Sequence, residues 1–178
     1  KSLQRQLSAL DVVFPVLHGP YGEDGTVQGL LELANIPYVG SGVLGSAVAM
    51  DKVIQKQLCE HVGIPVVPYL SVTTGELKKQ LAAIRRIVLK MGYPVFVKPA
   101  NLGSSVGISR VKSQRDLLSA IRYAGRYDQK IIIEKGVIQP REIEVAVLGN
   151  DHPQASVPGE IISSNEFYLP GLYCQAGL

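Results

Sequence analysis

The stretch VFVKPANLGSSVGISRV, residues 95–111, constrains the fold more than any other part of this chain. Val95 to Lys98 reads as a short β-branched and aromatic strand that ends on a charge. Pro99 then removes a backbone donor, and Asn101–Gly107 is a turn rich in glycine and serine. A second β-type run, ISRV, follows at once. The spacing predicts a hairpin that delivers one ammonium group, Lys98, to the mouth of a loop with little side-chain bulk. Gly103 lets the backbone approach a ligand, and consecutive N–H groups can point at phosphate oxygens. Ser104 and Ser105 add hydroxyl donors, and Lys98 adds a point charge. An ordinary hairpin turn with a solvated lysine is the competing reading of this stretch taken alone.

The surrounding pattern alternates strands and helices. DVVFPVL (11–17) reads as a buried strand and HGPYGEDG (18–25) as a loop. TVQGLLELAN (26–35) places Val27, Leu30, Leu31 and Ala34 on one helical face, and Pro37 stops that helix before the short strand YVG. This strand–loop–helix–strand order is the material of a parallel sheet. Helical segments over 42–62 end at Gly63, and an extended run follows at 66–72. Thr73 or Thr74 is placed to cap a helix over 75–91, on which Leu77, Leu81, Ile84, Val88 and Met91 align. Ser113 opens SQRD, a capping-box pattern, before a helix over 114–125. KIIIEK (130–135) is a strand, and REIEVAVLG (141–149) alternates, with Ile143, Val145 and Val147 on one face. The expected organisation is an N-terminal parallel α/β piece over 1–50, an α+β subdomain with the phosphate loop over 51–136, and part of a further subdomain over 137–178.

Composition excludes several function classes. A formal charge of +3 gives no basic stripe of the kind a nucleic-acid binder shows, and the Lys/Arg density at 78–90 falls on one solvated helix face. No apolar run approaches the length of a membrane span. Cys59 and Cys174 are far apart and form no metal or redox motif, so a reduced, cytoplasmic protein is expected. His18, His61 and His152 are scattered and make no metal site.

GSGVLG (40–45) matches G-x-G-x-x-G, but the acidic residue near the required spacing, Glu60, lies in a helix pattern rather than at a strand end. Close chain packing at a domain junction is the better reading. No G-x-x-x-x-G-K-[ST] occurs. Lys52 begins a helix after a junction and can reach the same phosphates as Lys98 from another element. The strand ending at Glu134–Lys135 can present backbone groups to a purine edge, and Glu142 can accept hydrogen bonds from ribose hydroxyls. Each residue taken singly also reads as a surface charge. In the loop at 18–29, Glu23 and Asp24 precede a helix start, where an anion is favoured.

HGPYGEDGTVQGLLELANIPYVGSGVLGSAVAMDK resembles the signature of the D-alanine–D-alanine ligases, and VFVKPANLGSSVGISRV is similar to that family's ATP-grasp loop. IIIEKGV…REIEVAVLGN and PGEIISSNEFY continue the resemblance, which covers about residues 10–168. It implies an α/β fold of the α+β ATP-grasp type, with ATP between two α+β domains. It further implies Mg²⁺, a homodimer, and a cytoplasmic role in making peptidoglycan precursors. Residue by residue, Lys52 and Lys98 match the phosphate-contacting lysines. Ser104 matches the substrate-orienting loop serine, with Ser105 beside it. Glu134, Lys135 and Val137 match the adenine-side segment, Glu142 the ribose-binding acid, and His18 and Glu23 the dipeptide-site loop.

The family also has a glycine-rich first strand with a glutamate, a Lys-Tyr closing loop, and an Asp and a Glu-x-Asn pair that hold two Mg²⁺. None is recognisable here, and Tyr168 runs directly into LPGLYCQAGL. The expectation is a chain incomplete at its start, with segments omitted near 168/169, that binds part of a nucleotide without completing the reaction. The alternatives are a D-alanine–D-lactate or carboxylase-type ATP-grasp ligase, a non-catalytic nucleotide-binding module, and an oxidoreductase built on GSGVLG.

Overall fold

Helical and strand periods of the sequence reappear in a computed structural model that describes residues 10–103 and 105–162. The chain divides into two compact units, residues 1–136 and residues 137–178. Ser104 and the 168/169 junction lie outside the described residues.

In the first unit, α1 (Thr26–Leu33), α2 (Val43–Met50) and α3 (Lys52–His61) precede β1 (Tyr69–Thr73) and α4 (Leu77–Met91). Next come β2 (Val95–Pro99), β3 (Ser109–Val111), α5 (Leu117–Ala124) and β4 (Lys130–Lys135). The four strands form one sheet in the order β1-β4-β2-β3, antiparallel throughout. Strand alternation gives this sheet two different faces. Val72, Val95, Val97, Val111, Ile131 and Ile133 point to one face and pack with Ile84 and Val88 of α4 and with Leu117, Ala120, Ile121 and Ala124 of α5. On the opposite face Ile132 and Ala100 pack with Val53 of α3, and Tyr69 borders them. The first face is a dry core. The second is apolar only in part: it carries Lys98 of β2 and Lys130 and Glu134 of β4, whereas Lys135 alternates in step with Ile131 and Ile133 onto the first face.

Three sequence expectations need correction. Residues 11–17 do not form a buried strand: Val13 makes a single parallel bridge to Tyr38, while Phe14 and Val16 are each 70% exposed. An apolar run becomes a strand only when neighbours pair its backbone, and among the described residues this one finds one short partner. Thr73 and Thr74 do not cap α4. Its N-cap is Glu76, with no side-chain cap bond, and the Thr73 hydroxyl donates instead to the Glu76 carboxylate at 3.2 Å. Ser113 likewise makes no capping box: the N-cap is Asp116, with no side-chain cap bond, and the Ser113 hydroxyl donates to Asp116 Oδ2 at 2.8 Å. In both cases the hydroxyl is engaged through a charge-assisted hydrogen bond by a carboxylate three residues on.

The turn between β2 and β3 sits directly on the sheet. Gly107 has φ +72°, and a Cβ there would lie 2.7 Å from Pro99 Cγ and 2.8 Å from Tyr127 Cδ2. Gly107→Ala is therefore expected to destabilise the fold by about 1–3 kcal/mol, from left-handed strain plus the clash. Urea denaturation checks this, and an unchanged midpoint would show that the turn can lift away freely.

The second unit holds β5 (Glu142–Glu144), β6 (Val147–Leu148), β7 (Gln154–Ala155) and β8 (Gly159–Ile161). β5 pairs with β8 and β6 with β7, both antiparallel, so the alternating run at 141–149 is split between two ribbons. Arg141 and Glu160 bridge the first ribbon through two hydrogen bonds of 2.9 and 2.8 Å.

Candidate functional site: a lysine cluster beside the hairpin loop

The N-terminus of α3 is fixed by Asp51, whose Oδ1 accepts from Val53 N at 3.0 Å and Ile54 N at 3.2 Å. Its Oδ2 holds Lys130 Nζ at 2.5 Å, which ties the cap to β4. Burial opposes ionisation of Asp51, but Lys130 and the two cap N–H groups outweigh it and hold the carboxyl below its ordinary value.

From that anchored start, Lys52, Lys56 and Glu60 recur every four residues and share one helix face. Each fastens to a different part of the sheet. Lys52 Nζ donates to the Leu102 carbonyl and, at 3.3 Å, to that of Ala100, both just beyond β2. Lys56 Nζ lies 3.1 Å from Glu134 Oε1 on β4. Glu60 Oε2 accepts from the Tyr69 hydroxyl on β1 at 2.9 Å.

Lys98 arrives on the same face from β2. The register pairs Phe96 with Glu134 and Lys98 with Ile132, so Lys98 and Glu134 are diagonal neighbours. Lys98 Nζ lies 2.6 Å from Glu134 Oε2. Burial disfavours a charged Glu134, yet Lys98 and then Lys56 overcome it and keep the carboxyl below its ordinary value. For Lys52, burial and the repulsion of Lys98 lower the ammonium pKa. Lys52 is bonded to carbonyls just beyond β2, the strand that carries Lys98, so both ammonium groups belong to this end of the hairpin. Lys52, Lys56 and Lys98 gather around Glu134, while Asp128 and the Lys130-paired Asp51 also act on Lys52 and offset part of the positive charge.

The loop is anchored beside them. Asp128 Oδ2 accepts from Asn101 N at 2.9 Å and Asn101 Nδ2 at 2.8 Å. Within the turn, Val106 N donates to Gly103 O, and Ser105 adopts φ +59°, a left-handed conformation uncommon for serine. A cleft of about 670 Å³ runs from Leu102, Gly103 and Lys52 to His18 and Glu23. Glu23 Oε2 accepts from Gly19 N at 2.5 Å, and Gln28 Nε2 donates to Gly22 O at 3.1 Å, so the loop at 18–25 is braced from within.

Of the residues singled out in the sequence, the structure brings Lys52, Lys98 and Glu134 into one cluster, and Lys52, His18 and Glu23 onto one cleft. Lys135 is not part of the cluster. Its backbone N–H donates to Pro68 O, and a Cβ on Gly92, beyond the end of α4, would lie 2.9 Å from its ammonium. Val137 and Glu142 belong to the second unit, where both are exposed. Lys56, Asp51 with Lys130, Asp128 and Gln28 escaped the sequence reading. For Lys56 a signal existed, four residues after Lys52; the others depend on partners distant in sequence.

Two family models match this chain, D-ala D-ala ligase N-terminus over residues 1–41 and D-ala D-ala ligase C-terminus over residues 58–170. The chain belongs to the D-alanine–D-alanine ligase family. Among the family's curated members, the D-alanine–D-alanine ligase of Thermoanaerobacter sp. (strain X514) is 55% identical over 159 residues, covering 89% of this chain and 44% of that protein. A solved D-alanine–D-alanine ligase from Coxiella burnetii superimposes with TM-score 0.79 at 44% identity, over 85% of this chain and 44% of its own. VanG D-Ala:D-Ser ligase from Enterococcus faecalis gives TM-score 0.80 at 39% identity, over 93% of this chain and 48% of its own. The fold is thus the ATP-grasp α+β fold of this family, and the chain spans slightly under half the length of these relatives. No helix among the described residues is long and apolar enough to cross a membrane.

Proposed function

We propose that the protein acts in ATP-dependent ligation of two D-alanines, as a cytoplasmic homodimer supplying D-alanyl-D-alanine for peptidoglycan precursors. One observation carries this reading. Lys52 and Lys98, from separate elements, are held beside a glycine/serine turn, and the cleft continues past Lys52 to His18 and Glu23. That arrangement suits a polyphosphate next to a small amino acid.

In this reading Lys52, Lys98, Ser104 and Ser105 take the phosphates. Glu134, Lys135 and Val137 form the adenine side, Glu142 takes the ribose, and His18 and Glu23 take the amino acid. The carboxylate of the first D-alanine attacks the γ-phosphate and releases ADP. The amine of the second attacks the acyl phosphate, loses a proton and expels phosphate. The chain's own contribution is positioning and charge neutralisation. Mg²⁺ is implied by the family likeness. Among the described residues no group of three or more His, Cys, Asp or Glu side chains is placed to hold a metal ion.

The choice of second substrate has a rival, because the chain is also similar to a D-Ala:D-Ser ligase. The test is phosphate release from ATP by the full-length protein with D-alanine alone, then with D-serine or D-lactate added, and with product identified by mass. Release that depends on D-alanine and yields the D-alanine dipeptide is expected. Mixed product in preference to that dipeptide overturns the substrate assignment. ATP binding without D-alanine-dependent release would leave a nucleotide-binding module.

A further inference from the structure

Glu134 is 6% exposed and shared between two cations from different elements. A polyphosphate that recruits Lys98 draws that ammonium away from the carboxylate. If Lys98 were its sole partner, Glu134 would then be left buried, charged and unpaired, which is costly. Lys56 prevents this. It reaches the other oxygen, Oε1, and its side chain is only 16% exposed. Its position is set independently of Lys98, since its ammonium lies 5.8 Å from the centroid of the Tyr69 ring and Glu60, one turn on, binds the Tyr69 hydroxyl.

We propose that Lys56 is a positioning residue for nucleotide binding: it retains the Glu134 carboxylate as an ion pair, so that Lys98 is free to move to the phosphates of ATP. This rests on the reading of the cluster as a phosphate site. Lys56 needs no contact with the nucleotide itself. The charged and titratable groups around Glu134 are Lys98 on β2, Lys56 and Lys52 on α3, Tyr69 opposite it on β1, and Arg110, which faces Phe96 from β3. Lys56→Gln removes one of its two paired cations. Lys98 can then leave only if Glu134 takes up a proton, so binding becomes coupled to pH with a definite sign.

The experiment is calorimetric titration of ATP into the unaltered protein, Lys56→Gln and Lys56→Arg, from pH 6 to 8.5, with the Glu134 carboxyl followed by ¹³C NMR. Lys56→Gln should lose about tenfold or more in affinity at the alkaline end and recover part of it at the acid end. Its Glu134 should protonate at higher pH when ATP is present. Lys56→Arg keeps a cation in place and should bind within about threefold of the unaltered protein. An unchanged affinity in Lys56→Gln overturns the proposal, as does a uniform loss with no dependence on pH, which would mark a direct phosphate contact or a folding defect. If the unaltered protein takes up no ATP, the phosphate-site reading fails and this proposal falls with it. That outcome differs from the first two, in which the unaltered protein does bind.

Discussion

A Lys98→Ala protein should bind ATP about tenfold to a hundredfold more weakly than the unaltered protein while remaining folded. The affinity estimate follows from losing one charge-assisted hydrogen bond to phosphate, about 1.5–3 kcal/mol in a partly desolvated site. The expectation of folding rests on the surroundings. Lys98 is 24% exposed on its side chain, and its removal leaves Glu134 paired to Lys56. Nothing in the dry core formed by Val95, Val97, Ile131 and Ile133 is disturbed, because Lys98 occupies the other face. Titration calorimetry with ATP and a thermal melt of the same sample separate the two expectations. Near-normal ATP affinity would remove Lys98 from the phosphate site. A collapsed melt would recast it as a structural counter-ion of Glu134.

The removal has a second consequence at Lys52. Burial and the charge of Lys98 both hold the Lys52 ammonium below its ordinary value. With Lys98 gone, one of these two causes disappears, and the Lys52 pKa should rise. A bound triphosphate acts in the same direction, since an anion favours the charged ammonium. ATP binding to the unaltered protein should therefore take up protons at alkaline pH, with less uptake in Lys98→Ala.

What was legible in the sequence was local. The hairpin at 95–111 followed from a strand period interrupted by Pro99 and a glycine-bearing turn, and the register Val95 to Val111 realises it. Lys98 stood out because a charge at the end of an apolar strand is costly unless it has a task. Lys52 stood out because it opens a helix. The partner of these groups was harder to see. Glu134 stands at a strand end whose backbone groups suit a purine edge, but nothing local shows that its side chain joins two lysines far away along the chain. Lys56 lacked any local oddity: a lysine amid polar helix positions reads as solvated until the sheet beneath it is known. The same limit explains residues 11–17, whose apolar character predicted a strand but whose pairing depends on segments that periodicity does not reveal.

Glu134 itself carries the second large expected effect. Replacing it with alanine leaves Lys56 and Lys98 without their shared anion, close to Lys52, beneath a helix that their ion pairs help to hold. Breaking a fully buried pair costs about 3–5 kcal/mol. Here the lysine side chains retain 16% and 24% exposure and can turn partly to water, so the expected loss is about 2–3 kcal/mol. The pH dependence gives the sharper check. The folded protein holds the Glu134 carboxyl below its ordinary value, against the burial that opposes ionisation. Its stabilising contribution is therefore fully present above the ordinary glutamate value and is lost as pH falls through the depressed folded value. Urea denaturation of the unaltered protein and of Glu134→Ala should give curves well separated at neutral pH that converge under acid conditions. A separation that stays constant down to the acid limit would assign the loss to packing of the glutamate's methylene groups instead. Equal stability at neutral pH would mean that the three lysines reach solvent unaided, and α3 would then owe its place on the sheet to Val53, Tyr69 and the Asp51–Lys130 pair.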